Sequence, residues 1–174
     1  ALTAAISSIY PAVGTFLSYI FLKEDISRQQ VIGLIVSIVA IMAMSLSGAN
    51  IEGFSLVGLI AVLVTVVAWG SEAVIVAASL KEEVSSDLAL GVRQFTSMLI
   101  YGVFIVPKIG YGNLKPLFQA QSAMFILIVA ALSATASYLF YYRGISEIGP
   151  SKAMALNITY PAWAFAFQVI LFQS

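Results

Sequence analysis

The chain contains no cysteine and no histidine, and each absence narrows what it can do. Without cysteine there is no disulfide and no thiolate, and without histidine there is no imidazole base or metal ligand. Cys–His and Ser–His catalysis and the usual transition-metal sites go with them, so the chain does not read as an enzyme and no cofactor or metal is expected. Charge is scarce as well. Eight basic and eight acidic residues give a formal net charge of zero and only 9% charged residues, against about 25% in soluble domains. With no polybasic run, nucleic acid is not an expected partner. Gly-rich phosphate loops, acidic metal-binding pairs and nucleophile motifs are also missing.

What is present is apolar: 61% of the 174 residues are hydrophobic and the mean hydropathy is +1.02. Six apolar stretches of about 20 residues, each ended by charges, Gly or Pro, predict an all-α integral membrane protein with six transmembrane helices. A transmembrane barrel would show alternating segments of about ten residues instead. The predicted spans are 1–22, 29–47, 55–80, 86–106, 121–142 and a sixth from Pro150 onward. Lys23-Glu24-Asp25 closes the first, Gly48-Ala49-Asn50 the second, Lys81-Glu82-Glu83 the third and Pro107 the fourth. Ser85-Ser86-Asp87 offers N-caps for the fourth. Residues 107–119 read as a surface loop, and loop 143–149 leads to Pro150 at the first turn of the sixth span. The first span starts at Ala1 without a charged n-region, against a signal peptide. The last stops inside its apolar run at Ser174, so both ends are expected to be cut from a longer protein.

Orientation follows from lysine and arginine. Lys23, Arg28, Lys81, Arg143 and Lys152 fall on one side and only Lys108 and Lys115 on the other, which makes loops 23–28, 81–86 and 143–150 cytoplasmic under the positive-inside rule. That frame gives meaning to a duplicated motif. Ser7-Ser8-Ile9-Tyr10-Pro11-Ala12-Val13 recurs in outline as Asn157-Ile158-Thr159-Tyr160-Pro161-Ala162-Trp163, an offset of 150 (160 minus 10). Both prolines lie about 17 Å from the cytoplasmic ends of their spans, near the bilayer midplane, in helices of opposite direction. Proline supplies no N–H and crowds the carbonyl four residues back, so each motif predicts a helix break. Paired breaks in two halves of opposite topology point to a secondary-transporter binding site; a plain packing kink is the alternative. The two copies are five spans apart, which predicts a five-helix repeat.

Two membrane-embedded charges stand out. Glu72 lies about 13 Å from the end of the third span at Lys81, and Arg93 about 11 Å into the fourth from Ser86. A charge at such depth costs about 2.5 to 3.5 kcal/mol and should face protein or water. Their equal depth suggests a Glu72/Arg93 ion pair, structural or part of a carboxylate or proton site. The rings of Tyr10, Trp69, Tyr138, Tyr141, Tyr160 and Trp163 combine an apolar face with a polar handle, which suits either a solute cavity or core packing. Tyr141 and Tyr142, near the cytoplasmic end, read as interface anchors. Asn157 joins Tyr10 and Tyr160 as a candidate cavity group. Gly33/Ser37, Ala130/Ala134 and Ser133/Ser137, each four apart, read as packing stripes.

Taken in order, these residues resemble the EamA-like branch of the drug/metabolite transporter superfamily. Carrying the resemblance are Pro11, the loop Leu22-Lys23-Glu24-Asp25, Gly33, Trp69-Gly70, Arg93, Tyr141-Tyr142 with Gly144 and Gly149, and Ala153, Asn157 and Pro161. The resemblance implies a ten-helix inverted-repeat (5+5) transporter, of which residues 1–50 are the last two helices of one repeat and 51–174 the first four of the next. It implies alternating access and export of small metabolites such as amino acids or amphipathic compounds, across a bacterial inner membrane. The expected partners are the lipid bilayer, a small-molecule substrate and, as a candidate coupling ion, protons, with further helices or a second copy completing the fold. The candidate substrate-binding set is Tyr10, Trp69, Glu72, Arg93, Tyr138, Asn157, Tyr160 and Trp163, with Pro11 and Pro161 as the breaks. A lipid-linked or nucleotide-sugar carrier, and a membrane structural subunit without transport, are the alternative readings.

Overall fold

A computed structural model describes residues 2–46 and 55–172. Among them there are ten α-helical segments and no strand. The end of the second span at 48–50 and the point where the proposed second repeat begins lie outside the described residues. Five continuous stretches are long and apolar enough to cross a membrane, and a shorter apolar helix over Arg28–Ala43 makes the sixth. Large apolar side chains such as Phe16, Phe21, Val57 and Ile170 are more than 60% exposed. Water would not tolerate so much bare apolar surface, but lipid does.

The chain divides into two compact units, residues 1–81 with 144–174 and residues 82–143. In the first, the opening span is two helices, α1 (Leu2–Ser7) and α2 (Tyr10–Leu17), with a π-helical turn over Ser18–Leu22. Lys23 then turns left-handed at φ 53°. A capping box starts α3 (Arg28–Leu46): the Gln30 N–H donates to Ser27 Oγ at 3.2 Å, and Gln30 Oε1 accepts from the Ser27 N–H at 2.7 Å. Two orphan donors are satisfied reciprocally. Helix α4 (Leu56–Lys81) buries Val66, Gly70, Ala73, Val74 and Ala77. Their spacing of three and four draws one stripe along a 3.6-residue helix. Because three of the five are Gly or Ala, a neighbouring backbone can come close, and that neighbour is α2.

The second unit holds α5 (Ser86–Ile100), a π turn over Tyr101–Ile105, α6 (Val106–Ile109), a 3₁₀ turn over Tyr111–Leu114, α7 (Lys115–Gln119) and most of α8 (Gln121–Ile148). Ser85 caps α5 as expected, accepting from the Leu88 N–H at 3.2 Å. Pro107 does not end the fourth span. The π turn ahead of it redirects the Val106 N–H to the Tyr101 carbonyl, and the span runs on to Ile109. A π bulge is one way a helix absorbs a proline's missing donor. Residues 107–119 are accordingly mostly short helical turns. Loop 143–149 also contracts, since α8 continues to Ile148 and a single residue, Gly149 at φ 86°, makes the turn into α9 (Pro150–Asn157). Two contacts set the register of α5 against α8: Arg143 Nη2 with Asp87 Oδ1 at 3.4 Å, and the Arg93 guanidinium 4.0 Å above the Tyr138 ring. Moving forward from 87 to 93 on one helix means moving back from 143 to 138 on the other, so the pair is antiparallel.

Candidate functional site

Helix α10 (Tyr160–Phe172) follows α9 across a two-residue gap. The two Tyr-Pro segments therefore break at the same internal position, after Ser7 and after Asn157, and each new helix begins on the tyrosine. Three backbone hydrogen bonds correspond between the breaks. Ile9 and Thr159 each donate to the carbonyl three residues back at 3.1 Å. Ala12 and Ala162 do likewise at 2.9 and 3.0 Å, and the Val13 and Trp163 N–H groups reach Ile9 and Thr159 at 3.4 and 3.3 Å. A hydroxyl covers a carbonyl at each break, Ser8 Oγ donating to Ala5 at 2.6 Å and Thr159 Oγ1 to Leu156 at 2.7 Å. Proline removes the donor that the carbonyl of Ser7 or Asn157 would otherwise receive, and the tightened turn is the local consequence.

The breaks also touch each other. Asn157 Nδ2 donates to the Tyr10 hydroxyl at 2.9 Å, joining the residue before one break to the residue after the other. Tyr10 is 6% exposed, and its ring meets Trp69 edge-on at 5.7 Å between centroids. Directly beneath, α2 and α4 are at backbone contact. A Cβ on Gly70 would lie 2.8 Å from the Gly14 nitrogen and 3.0 Å from the Tyr10 carbonyl oxygen. One on Gly14 would overlap the end of Met154 and lie 3.0 Å from the Gly70 carbonyl. Glycine at both positions is what lets Tyr10, Trp69 and Asn157 come together.

The remaining candidates are dispersed. Glu72 is half-buried, one turn beyond Trp69 on α4. Arg93 and Tyr138 belong to the second unit, where the stacked guanidinium forms a cation–π pair. Tyr138 also meets the Tyr141 and Tyr142 rings at 6.4 and 6.3 Å. At 1% exposure, Tyr142 is buried rather than anchored at a lipid boundary. Tyr160 and Trp163 present their rings on the open face of α10, 61% and 63% exposed. The expected packing stripes Gly33, Ala130, Ala134, Ser133 and Ser137 are exposed. Close approach occurs instead at Gly14, Gly70 and Met154, which no four-residue spacing can reveal because the glycines lie on different helices. Among the described residues no three Asp or Glu converge as a metal site.

A helical membrane protein in which two broken helices meet at their breaks is the class this geometry defines. Residues 56–174 match the model of the EamA-like transporter family, and the chain belongs to that family. It is also similar to Protein LicB of Haemophilus influenzae (strain ATCC 51907 / DSM 11121 / KW20 / Rd), 28% identical over 171 residues. That match covers 98% of this chain and 57% of LicB, so the chain spans little more than half the length of this relative.

Proposed function

We propose that this chain forms part of a secondary transporter that exports small metabolites or amphipathic compounds by alternating access around the Tyr10–Asn157 junction. The observation that carries the reading is that two breaks with matching hydrogen bonds, 150 residues apart, are tied directly to each other. Broken helices at mid-membrane expose backbone polar groups where lipid cannot satisfy them, and a solute site is the setting in which that is tolerated. In this reading residues 1–50 and 51–174 belong to two repeats of opposite topology. Trp69 and Asn157 bound the site from one side, and the exposed rings of Tyr160 and Trp163 offer apolar faces to the solute. Glu72, a charge about 13 Å into its span, supplies the ionic or proton-coupled step, and the membrane is the bacterial inner membrane.

Flux across proteoliposomes containing the full-length protein, with and without a pH gradient, is the test. Tyr160→Ala and Glu72→Gln should each lower flux of a transported amino acid or amphipathic compound at least tenfold while leaving insertion intact. Unchanged flux in both removes the site. For the two membrane-embedded charges, Glu72→Arg combined with Arg93→Glu should insert normally but fail to transport if either acts on solute or proton; normal transport would leave them a structural role alone.

A further inference from the structure

The two broken helices are joined a second time, at their loop ends. Ser151 Oγ, in the first turn of α9, donates to Glu24 Oε2 at 2.6 Å. The other carboxylate oxygen, Oε1, sits where a side chain on Gly149 would have to go, 2.6 Å from that Cβ position, so glycine at 149 provides both the turn and the room for the carboxylate. Nearby, Lys81 Nζ donates to the Leu22 carbonyl at 3.4 Å and ties the end of α4 to the same corner. Glu24 and Gly149 are two walls of a cavity of about 370 Å³ whose other sides include Ala77, Lys81 and Ile145. The Glu24–Ser151 bond therefore runs from a residue of the cavity lining to the neighbour of Pro150, another lining residue.

The segment that carries Glu24 departs from α geometry twice. It follows the π turn over Ser18–Leu22 and the left-handed Lys23, two departures from α geometry in succession. On the same stretch, Thr15 Oγ1 and Ser18 Oγ are buried with no hydrogen-bond partner among the described residues, although Thr15 is only 8% exposed and Ser18 fully enclosed. Between the junction at Tyr10–Asn157 and the bond at Glu24–Ser151 the seam thus contains unsatisfied polar groups and a non-α hinge.

We infer that Glu24 and Ser151 form a latch that closes the 370 Å³ cavity at the loop end of the seam, and that release bends the chain at the Ser18–Leu22 turn while the Tyr10–Asn157 junction holds. The geometry stands without the transport reading; only the purpose of the latch, gating solute access, rests on it. The test uses the full-length protein in membranes with Ala77→Cys as the sole reactive thiol and a membrane-impermeant maleimide applied from the loop side. Ala77 is 6% exposed in the cavity wall, so labelling is slow in the parent. Ser151→Ala and Glu24→Ala should each accelerate it about tenfold, the factor associated with one hydrogen bond to a carboxylate. Glu24→Gln, which keeps an acceptor oxygen, should stay near the parental rate. Labelling indifferent to both alanine substitutions, or equal acceleration by Glu24→Gln, would overturn the latch. A protein that labels as expected but carries no solute keeps the latch and loses the transport reading; one that transports with indifferent labelling does the reverse.

Discussion

Gly70→Ala is the substitution that puts most strain on the smallest change. The new methyl would meet the Gly14 nitrogen at 2.8 Å, the Tyr10 carbonyl at 3.0 Å and Val13 Cγ1 at 3.2 Å. Two of these are backbone atoms, so no rotamer change relieves the contact, and α2 and α4 must separate by about half an ångström or more. Across a packed crossing, a gap of about 0.5–1 Å forfeits a quarter to a half of each dispersion contact, and overpacking of this kind costs about 1–3 kcal/mol. Replacing glycine by alanine in a helix returns about 0.5–1 kcal/mol, which leaves a net loss of about 1–2 kcal/mol. Gly14→Ala should cost less, since its first contacts are the flexible end of Met154. Gly33→Ala and Gly91→Ala meet nothing within 4 Å and should be neutral or slightly stabilising. Unfolding of the purified protein in mixed micelles by graded addition of a denaturing detergent would rank them. If Gly70→Ala proved as stable as Gly33→Ala, the close crossing of α2 and α4 would be refuted, and with it the means by which Tyr10, Trp69 and Asn157 are assembled.

Three other predictions concern single contacts. A double-mutant cycle on Tyr10→Phe and Asn157→Ala should give a coupling of about 0.5–1.5 kcal/mol, the range of one neutral hydrogen bond; additive losses would mean that the two breaks are not joined. Ser85→Ala should destabilise the start of α5 by about 1 kcal/mol, seen as faster amide exchange over the first turn, with Ser85→Asp close to the parent. Asp87→Asn, by contrast, should change stability by less than about 0.5 kcal/mol, because Asp87 and Arg143 are 68% and 51% exposed and exposed pairs contribute little; a larger loss would indicate a shielded pair.

Much of this architecture is legible from hydropathy and punctuation. The apolar spans, the Ser85 cap and the positions of both breaks follow from residue type and spacing, because each depends on neighbours within one or two turns. The Ser27-x-x-Gln30 capping box is equally local and could have been found the same way. What could not be read is contact between distant segments. Nothing in the spacing of Gly14 and Gly70 says that they face each other, and a stripe of small residues such as Ala130/Ala134 looks identical whether or not a partner covers it. Asn157 and Tyr10 are each distinguishable beside a proline, but nothing in the sequence says that they bond to each other across 147 residues. The proline rule also misled at Pro107, where a π turn upstream lets the helix continue.

The duplication in sequence is not matched by a duplication in environment, and the difference assigns the two tyrosines separate tasks. Tyr10 is 6% exposed and accepts a hydrogen bond from the opposite break, whereas Tyr160 is 61% exposed on a helix whose other rings, Trp163, Phe165 and Phe167, are equally bare. A buried phenol with a partner works as a fastener: its loss leaves the Asn157 amide short of an acceptor in a dry setting, at a cost in stability. An exposed ring at the mirror position has no such duty and is available to whatever moves past it. The matching backbone breaks thus carry one fastened and one exposed side chain. In the proposed alternating access the fastened half holds while the loop end of the seam opens, because packed interfaces shift between discrete arrangements rather than deform continuously.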